Sequence, residues 1–79
     1  MSKKVRVFST PTCSYCVFLK RYLDEKEVQY EEIDVSKDQE KLKEMVELSG
    51  QMGVPVVEIG EEDVIIGFNK EQINKSLGI

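Results

Sequence analysis

The chain has 79 residues, a length that suits one domain over residues 1–79 and buries only about 60% of the extended-chain surface on folding. With 41% hydrophobic and 33% charged residues it reads as an ordinary folded globule, and its apolar runs, such as 16–19 and 64–66, fall far short of the roughly 20 residues of a membrane span. A formal net charge of −4 without a basic stripe argues against nucleic acid, whose binding rests on phosphate neutralisation by Lys and Arg.

The sequence runs from Met1 through Lys3 and Lys4 into Val5-Arg6-Val7-Phe8 without an apolar leader or a small-residue cleavage site, so a cytoplasmic location is expected. Residues 5–8 are β-branched or aromatic around Arg6 and stop at Ser9-Thr10-Pro11, the pattern of a short strand ended by a turn. From Cys13 on, Cys16, Leu19 and Leu23 recur at helical spacing with Phe18 and Tyr22 beside them, predicting a helix that packs on a sheet and ends near Lys26. Residues 28–34 carry Val28, Tyr30 and Ile33 among polar neighbours and read as a second strand.

Ser36 followed by Gln39 has the spacing of a capping box. A second helix then presents Leu42, Met45, Val46 and Ser49 on one face until Gly50 stops it. Residues 54–59 and 63–66 are apolar strands joined by Gly60-Glu61-Glu62, which favours an antiparallel hairpin. Asn69 offers an N-cap with Gln72 three residues on, and Phe68 and Ile73 stand at hydrophobic-staple positions, so a last short helix runs to about Leu77. The order β-α-β-α-β-β-α makes the first two strands parallel and adds an antiparallel hairpin, giving a four-stranded mixed sheet flanked by three helices.

The chemistry concentrates where the first strand passes into the first helix, at Thr10-Pro11-Thr12-Cys13-Ser14-Tyr15-Cys16. Cys13 is placed at a helix N-terminus, where free backbone N–H groups and the helix dipole favour a negative sulfur, and thiolate rather than thiol is the nucleophile. Cys16, nearly one turn further on, can reach the Cys13 sulfur and is the natural resolving thiol. A disulfide across so short a loop restricts the unfolded chain little, so a purely structural role is weak. Two cysteines and no histidine leave a zinc site short of ligands, and no metal is expected. A Cys-x-x-Cys at the turn of a βαβ pattern is the signature of a thioredoxin-like redox site. Pro55 removes a ladder N–H from the third strand, which calls for a special reason such as a cis peptide bond.

With Thr-Pro-Thr-Cys-Ser-Tyr-Cys after the first strand, Gly-Val-Pro at the third and Ile-Gly-Phe-Asn after the fourth, the chain resembles the glutaredoxins over essentially its whole length. The resemblance implies an α/β thioredoxin fold of glutaredoxin type and a dithiol oxidoreductase. Such an enzyme reduces disulfide-containing proteins or glutathione-mixed disulfides, with glutathione as co-substrate. It makes Val54 and Pro55 the cis-proline loop that pairs with the cysteine of glutathione, and Tyr15 the aromatic residue flanking that site. Gly67, Phe68 and Asn69 fall where the family binds the γ-glutamyl end. Thr10 takes the place of a family lysine, Asn69 of an aspartate and Gly53 of a threonine. In these positions the chain is similar to glutaredoxin-like redoxins that draw electrons from thioredoxin reductase and serve ribonucleotide reductase. Ser14, where proline is commonest, is shared with glutaredoxins that hold a [2Fe-2S] cluster in a glutathione-dependent dimer, a further alternative. The leading reading is a monomer without metal.

Overall fold

The structure, a computed structural model, describes residues 4–60 and 63–78. Alternating apolar residues in β1 (Val5–Ser9) send Val5 and Val7 to one side and Phe8 to the other, as the two-residue period of a strand requires. The elements that follow are α1 (Ser14–Glu25), β2 (Glu31–Asp34), α2 (Gln39–Ser49), β3 (Val56–Ile59), β4 (Asp63–Ile66) and α3 (Lys70–Leu77). The sheet order is β2-β1-β3-β4, with β1 parallel to β2 and antiparallel to β3, and β3 antiparallel to β4. The mixed four-stranded sheet with three helices expected from the sequence is the one formed.

One core gathers Val5, Val7, Val57, Ile59 and Ile65 from the sheet under Leu19 and Leu23 of α1 and Ile73 of α3. The other packs Phe8, Ile33 and Val56 against Val35 and Met45 of the α2 side. Each fully buried side chain of this size contributes roughly 1.5–3 kcal/mol over exposure. On the α2 face, Arg6 and its cross-strand partner Glu58 are both nearly buried. The guanidinium donates to Glu58 Oε1 at 2.6 Å and to Glu44 Oε1 of α2 at 3.0 Å, which satisfies the charges where water is scarce.

Element ends differ from expectation in three places. The second strand begins at Glu31 rather than 28, because a Schellman motif takes up the preceding residues. Val28 N–H bonds Leu23 O at 2.9 Å and Glu27 N–H bonds Asp24 O at 3.0 Å, with Glu27 left-handed at φ 57. The cap of α2 is Asp38, whose carboxylate accepts from Lys41 N–H at 3.2 Å. The expected Ser36–Gln39 capping box does not form because Ser36 spends its hydroxyl and its N–H on Asp34. β3 begins at Val56, so Val54 and Pro55 lie in the loop before it. Gly50 caps α2 in the left-handed region as expected. In the hairpin connection, Glu61 and Glu62 lie outside the described residues.

Candidate active site

The strand register fixes what can meet. Ser9 ends β1 beside Asp34, Phe8 faces Val56 at the start of β3, and Val56 faces Ile66 at the end of β4. Segments 10–13, 54–55 and 67–69 therefore leave the sheet at one end, on adjacent strands. A chain with this topology cannot bring the two cysteines to that end without bringing the Val54-Pro55 loop and Gly67 there as well.

Cys13 is the N-cap of α1, with φ −88 and ψ 111, and its Sγ accepts the backbone N–H of Cys16 at 3.1 Å. Its own N–H closes the turn onto Thr10 O at 3.3 Å. The two cysteines are joined as a disulfide with Cα atoms 5.2 Å apart, within bridging range. Their surroundings differ. Cys16 belongs to the inner stripe of α1 with Leu19 and Leu23 and has no exposed surface, whereas Cys13 is half-buried and faces the sheet end. An amide N–H aimed at sulfur, at a helix N-terminus, is the arrangement that favours a thiolate on Cys13 once the disulfide is reduced, and among the described residues no comparable donor meets the Cys16 sulfur.

The residues named from sequence divide into groups. Val54–Pro55 is a cis peptide, Pro55 is buried and Val54 half-buried. The Pro55 carbonyl accepts Gly67 N–H at 2.9 Å, a link that joins the loop before β3 to the loop after β4. Gly67 holds φ 78, and a Cβ there would meet nothing within 4 Å, so the backbone conformation rather than space calls for glycine. Tyr15 is 65% exposed beside the cysteines, and Thr10 is half-buried in the turn. Asn69 caps α3 by accepting Gln72 N–H at 3.2 Å. Phe68 packs against the α1–α3 core, edge-on to Tyr22 with ring centroids 5.8 Å apart, so its ring serves packing.

Sequence reasoning did not find the Gly67–Pro55 link, nor Met52, 69% exposed just before the Val54-Pro55 loop, nor Ile66, 49% exposed at the end of β4. Phe18, read beside the buried stripe, is half exposed. The helical wheel carried that signal, since Phe18 lies well off the line through Cys16, Leu19 and Leu23. Among the described residues no three or more His, Cys, Asp or Glu side chains converge as a metal site would require.

The glutaredoxin family model matches residues 5–64, from β1 to the start of β4. The chain belongs to the glutaredoxin family. Glutaredoxins are thiol oxidoreductases, and this one carries their two-cysteine motif as Cys13 and Cys16. A glutaredoxin-like 8.6 kDa protein of the rubredoxin operon of Clostridium pasteurianum, uncharacterized, is 41% identical over 71 residues, covering 90% of this chain and 93% of that one. The N-acetyl-S-hydroxy-L-cysteine reductase of Bacillus subtilis is 47% identical over 65 residues, covering 81% and 69%. Among solved structures, the glutaredoxin-like NrdH-redoxin of Escherichia coli, described as having a thioredoxin-like activity profile, superposes with a TM-score of 0.80. It is 25% identical and covers 91% of this chain and 92% of that one. The architecture is that of the glutaredoxin-type thioredoxin fold.

Proposed function

We propose that this glutaredoxin is a cytoplasmic dithiol reductase of protein disulfides and glutathione-mixed disulfides, acting as a monomer and re-reduced by glutathione. The observation that carries the reading is the asymmetry of the pair, a half-exposed Cys13 capping a helix over a fully buried Cys16. The Cys13 thiolate attacks one sulfur of the substrate disulfide and expels the other as a thiolate. Cys16 loses its proton and displaces the substrate sulfur from Cys13, so the substrate gains two electrons and the protein ends as the Cys13–Cys16 disulfide. Glutathione reverses this in two steps, opening the disulfide at Cys13 and then removing the bound glutathionyl sulfur as glutathione disulfide. Val54 and Pro55 present backbone to the cysteine of glutathione, Thr10 and Tyr15 flank it, and Gly67, Phe68 and Asn69 line the γ-glutamyl end, with the Phe68 contribution made by its backbone. The name of the Bacillus subtilis relative fits the same attack on a small sulfur electrophile.

A second reading has a specific support. Thr10, Gly53 and Asn69 depart from the glutathione-binding pattern, and the Escherichia coli redoxin of the same fold has a thioredoxin-like activity profile. On that reading thioredoxin reductase supplies electrons through the intramolecular disulfide and ribonucleotide reductase receives them. Turnover of a glutathionylated substrate separates the two when wild type and Cys16→Ser are each fed by glutathione with its reductase or by thioredoxin reductase. Activity of both proteins with glutathione supports the first reading. An efficient wild type with thioredoxin reductase alone, beside an inactive Cys16→Ser, overturns it.

A further inference from the structure

Residues 52–55 bring the chain from α2 back to the end of the sheet that carries Cys13, and little in this stretch fixes its direction. Met52 and Gly53 are exposed, Val54 is half-buried against the core of Phe8 and Met45, and Pro55 is buried. Apolar packing holds those side chains in place, but it is non-directional and does not set which way the peptide groups point. A hydrogen bond does. Among the described residues the backbone of 52–55 makes one, from Gly67 N–H to Pro55 O at 2.9 Å. Val56 pairs with Ile66, so one step further the antiparallel ladder sets Pro55 opposite Gly67. Such a pair normally exchanges two bonds. Pro55 has no N–H to give, and the single bond from Gly67 is all the ladder supplies.

The donor itself is held firmly. With φ 78, Gly67 turns the chain out of β4 while its N–H stays on the ladder. The next residue, Phe68, packs edge-on to Tyr22 of α1, and Asn69 opens α3 by accepting Gln72 N–H. Turn 67–69 is thus anchored to two helices and to Pro55. A Cβ at Gly67 would meet nothing within 4 Å, so an L side chain there acts through the backbone conformation and not through a clash.

We propose that Gly67 is a positioning residue, whose N–H aims the Val54–Pro55 backbone so that Val54 pairs with the polypeptide flanking the disulfide that Cys13 attacks. The proposal rests on the disulfide-reductase reading above and adds a determinant of substrate class. Disulfides within a polypeptide depend on the Gly67 bond. Disulfides without peptide groups have nothing for Val54 to pair with and gain little from it.

A chain of 79 residues is within reach of chemical synthesis, which allows the bond to be altered atom by atom. Gly67→glycolate replaces the amide by an ester and removes the N–H. Gly67→Ala keeps the N–H but disfavours the positive φ, and Gly67→D-alanine keeps both. Each full-length chain is pre-reduced and mixed with the symmetric disulfide of acetyl-Ala-Ala-Cys-Ala-Ala amide or with hydroxyethyl disulfide, at a temperature where circular dichroism shows it folded. The Cys13 thiolate attacks one sulfur and expels the other half as a thiolate. Cys16 loses its proton and displaces the second half, so the chain ends as the Cys13–Cys16 disulfide and the substrate as two thiols. Acid quenching, alkylation and mass spectrometry give the rates, each divided by that of dithiothreitol with the same disulfide. The ratio of the peptide rate to the hydroxyethyl disulfide rate should fall about tenfold in Gly67→glycolate and Gly67→Ala. Gly67→D-alanine should recover most of that loss.

A ratio that stays at the wild-type value in Gly67→glycolate, because both substrates slow equally or neither slows, would overturn the proposal. So would a D-alanine variant that loses as much as the L-alanine one, since the loss would then trace to the side chain. A wild type that favours the peptide disulfide no more than dithiothreitol does would instead refute the pairing of Val54 with substrate backbone. Absence of oxidation by either disulfide would refute the dithiol-reductase reading itself.

Discussion

Asn69 is the residue where stability and co-substrate binding can be separated by two substitutions. Its side chain accepts Gln72 N–H at 3.2 Å and so satisfies one of the orphan donors that open α3. The helix has eight residues and a single fully buried anchor, Ile73, so its first turn has little else to hold it. Asn69→Ala removes the acceptor and should cost about 1 kcal/mol. In a chain of this size that corresponds to a fall in Tm of about 4–8 °C. Asn69→Asp keeps the acceptor and places a negative charge at the helix N-terminus, which should return a gain of about 0.3–1 kcal/mol. Thermal unfolding followed by circular dichroism reads both. If Asn69 also lines the γ-glutamyl end of glutathione, KM for glutathione should rise in Asn69→Ala and fall in Asn69→Asp, because a carboxylate attracts the free α-amino group. An Asn69→Ala protein that melts with the wild type would refute the capping argument. A glutathione KM unmoved in both variants would remove Asn69 from the binding site.

Other expectations follow from local geometry. Glu27 sits left-handed at the C-terminal end of α1, a conformation that costs a residue with a Cβ about 1–2 kcal/mol, partly offset by the greater freedom glycine has when unfolded. Glu27→Gly should therefore stabilise the fold by about 0.5–1 kcal/mol in urea titration, and a neutral or destabilised variant contradicts the Schellman assignment. The hydrogen bond from Arg6 holds the Glu44 carboxyl below its ordinary value of 4.5, and the Ser36 hydroxyl does the same for Asp34. Both lowered values mean stability that is complete above the unfolded-state pKa and lost as pH falls through the folded one. The contribution of these two groups should thus fall away as pH drops below about 4.5, and Arg6→Met should flatten the part due to Glu44. Cys13 should alkylate with a pKa below the ordinary thiol value of about 8.5, as expected of a thiol at a helix N-terminus. Faster reaction at Cys16 would reverse the roles.

Those features that depend on neighbours in the chain were legible from sequence. Cys13 at the start of a helix, Cys16 on its buried stripe, Asn69 as a cap and Gly50 as a stop each follow from spacings of a few residues. Local competition blurred the rest. Ser36 looked like a cap until Asp34 claimed its hydroxyl at 2.5 Å, which left Asp38 to open α2. Val28 is apolar enough for a strand but is spent on ending α1. Features that depend on distant residues left no trace. Arg6 meets Glu58 across 52 positions and Glu44 across 38, and Gly67 reaches the Pro55 carbonyl only because β3 and β4 pair in one register. The cis form of Val54–Pro55 was legible only through family resemblance, since X–Pro bonds in folded proteins are cis only about 5% of the time.

Trapping the covalent intermediate tests the division of labour between the two cysteines most directly. Cys16→Ser, reduced and then exposed to a disulfide-bonded peptide, should accumulate a mixed disulfide, because no second thiol remains to displace the peptide. Digestion and mass spectrometry should place the peptide on Cys13, and Cys13→Ser should form no adduct at the buried Cys16 on the same timescale. A Cys13→Ser protein that captures the peptide on Cys16 as fast as Cys16→Ser captures it on Cys13 would contradict the account.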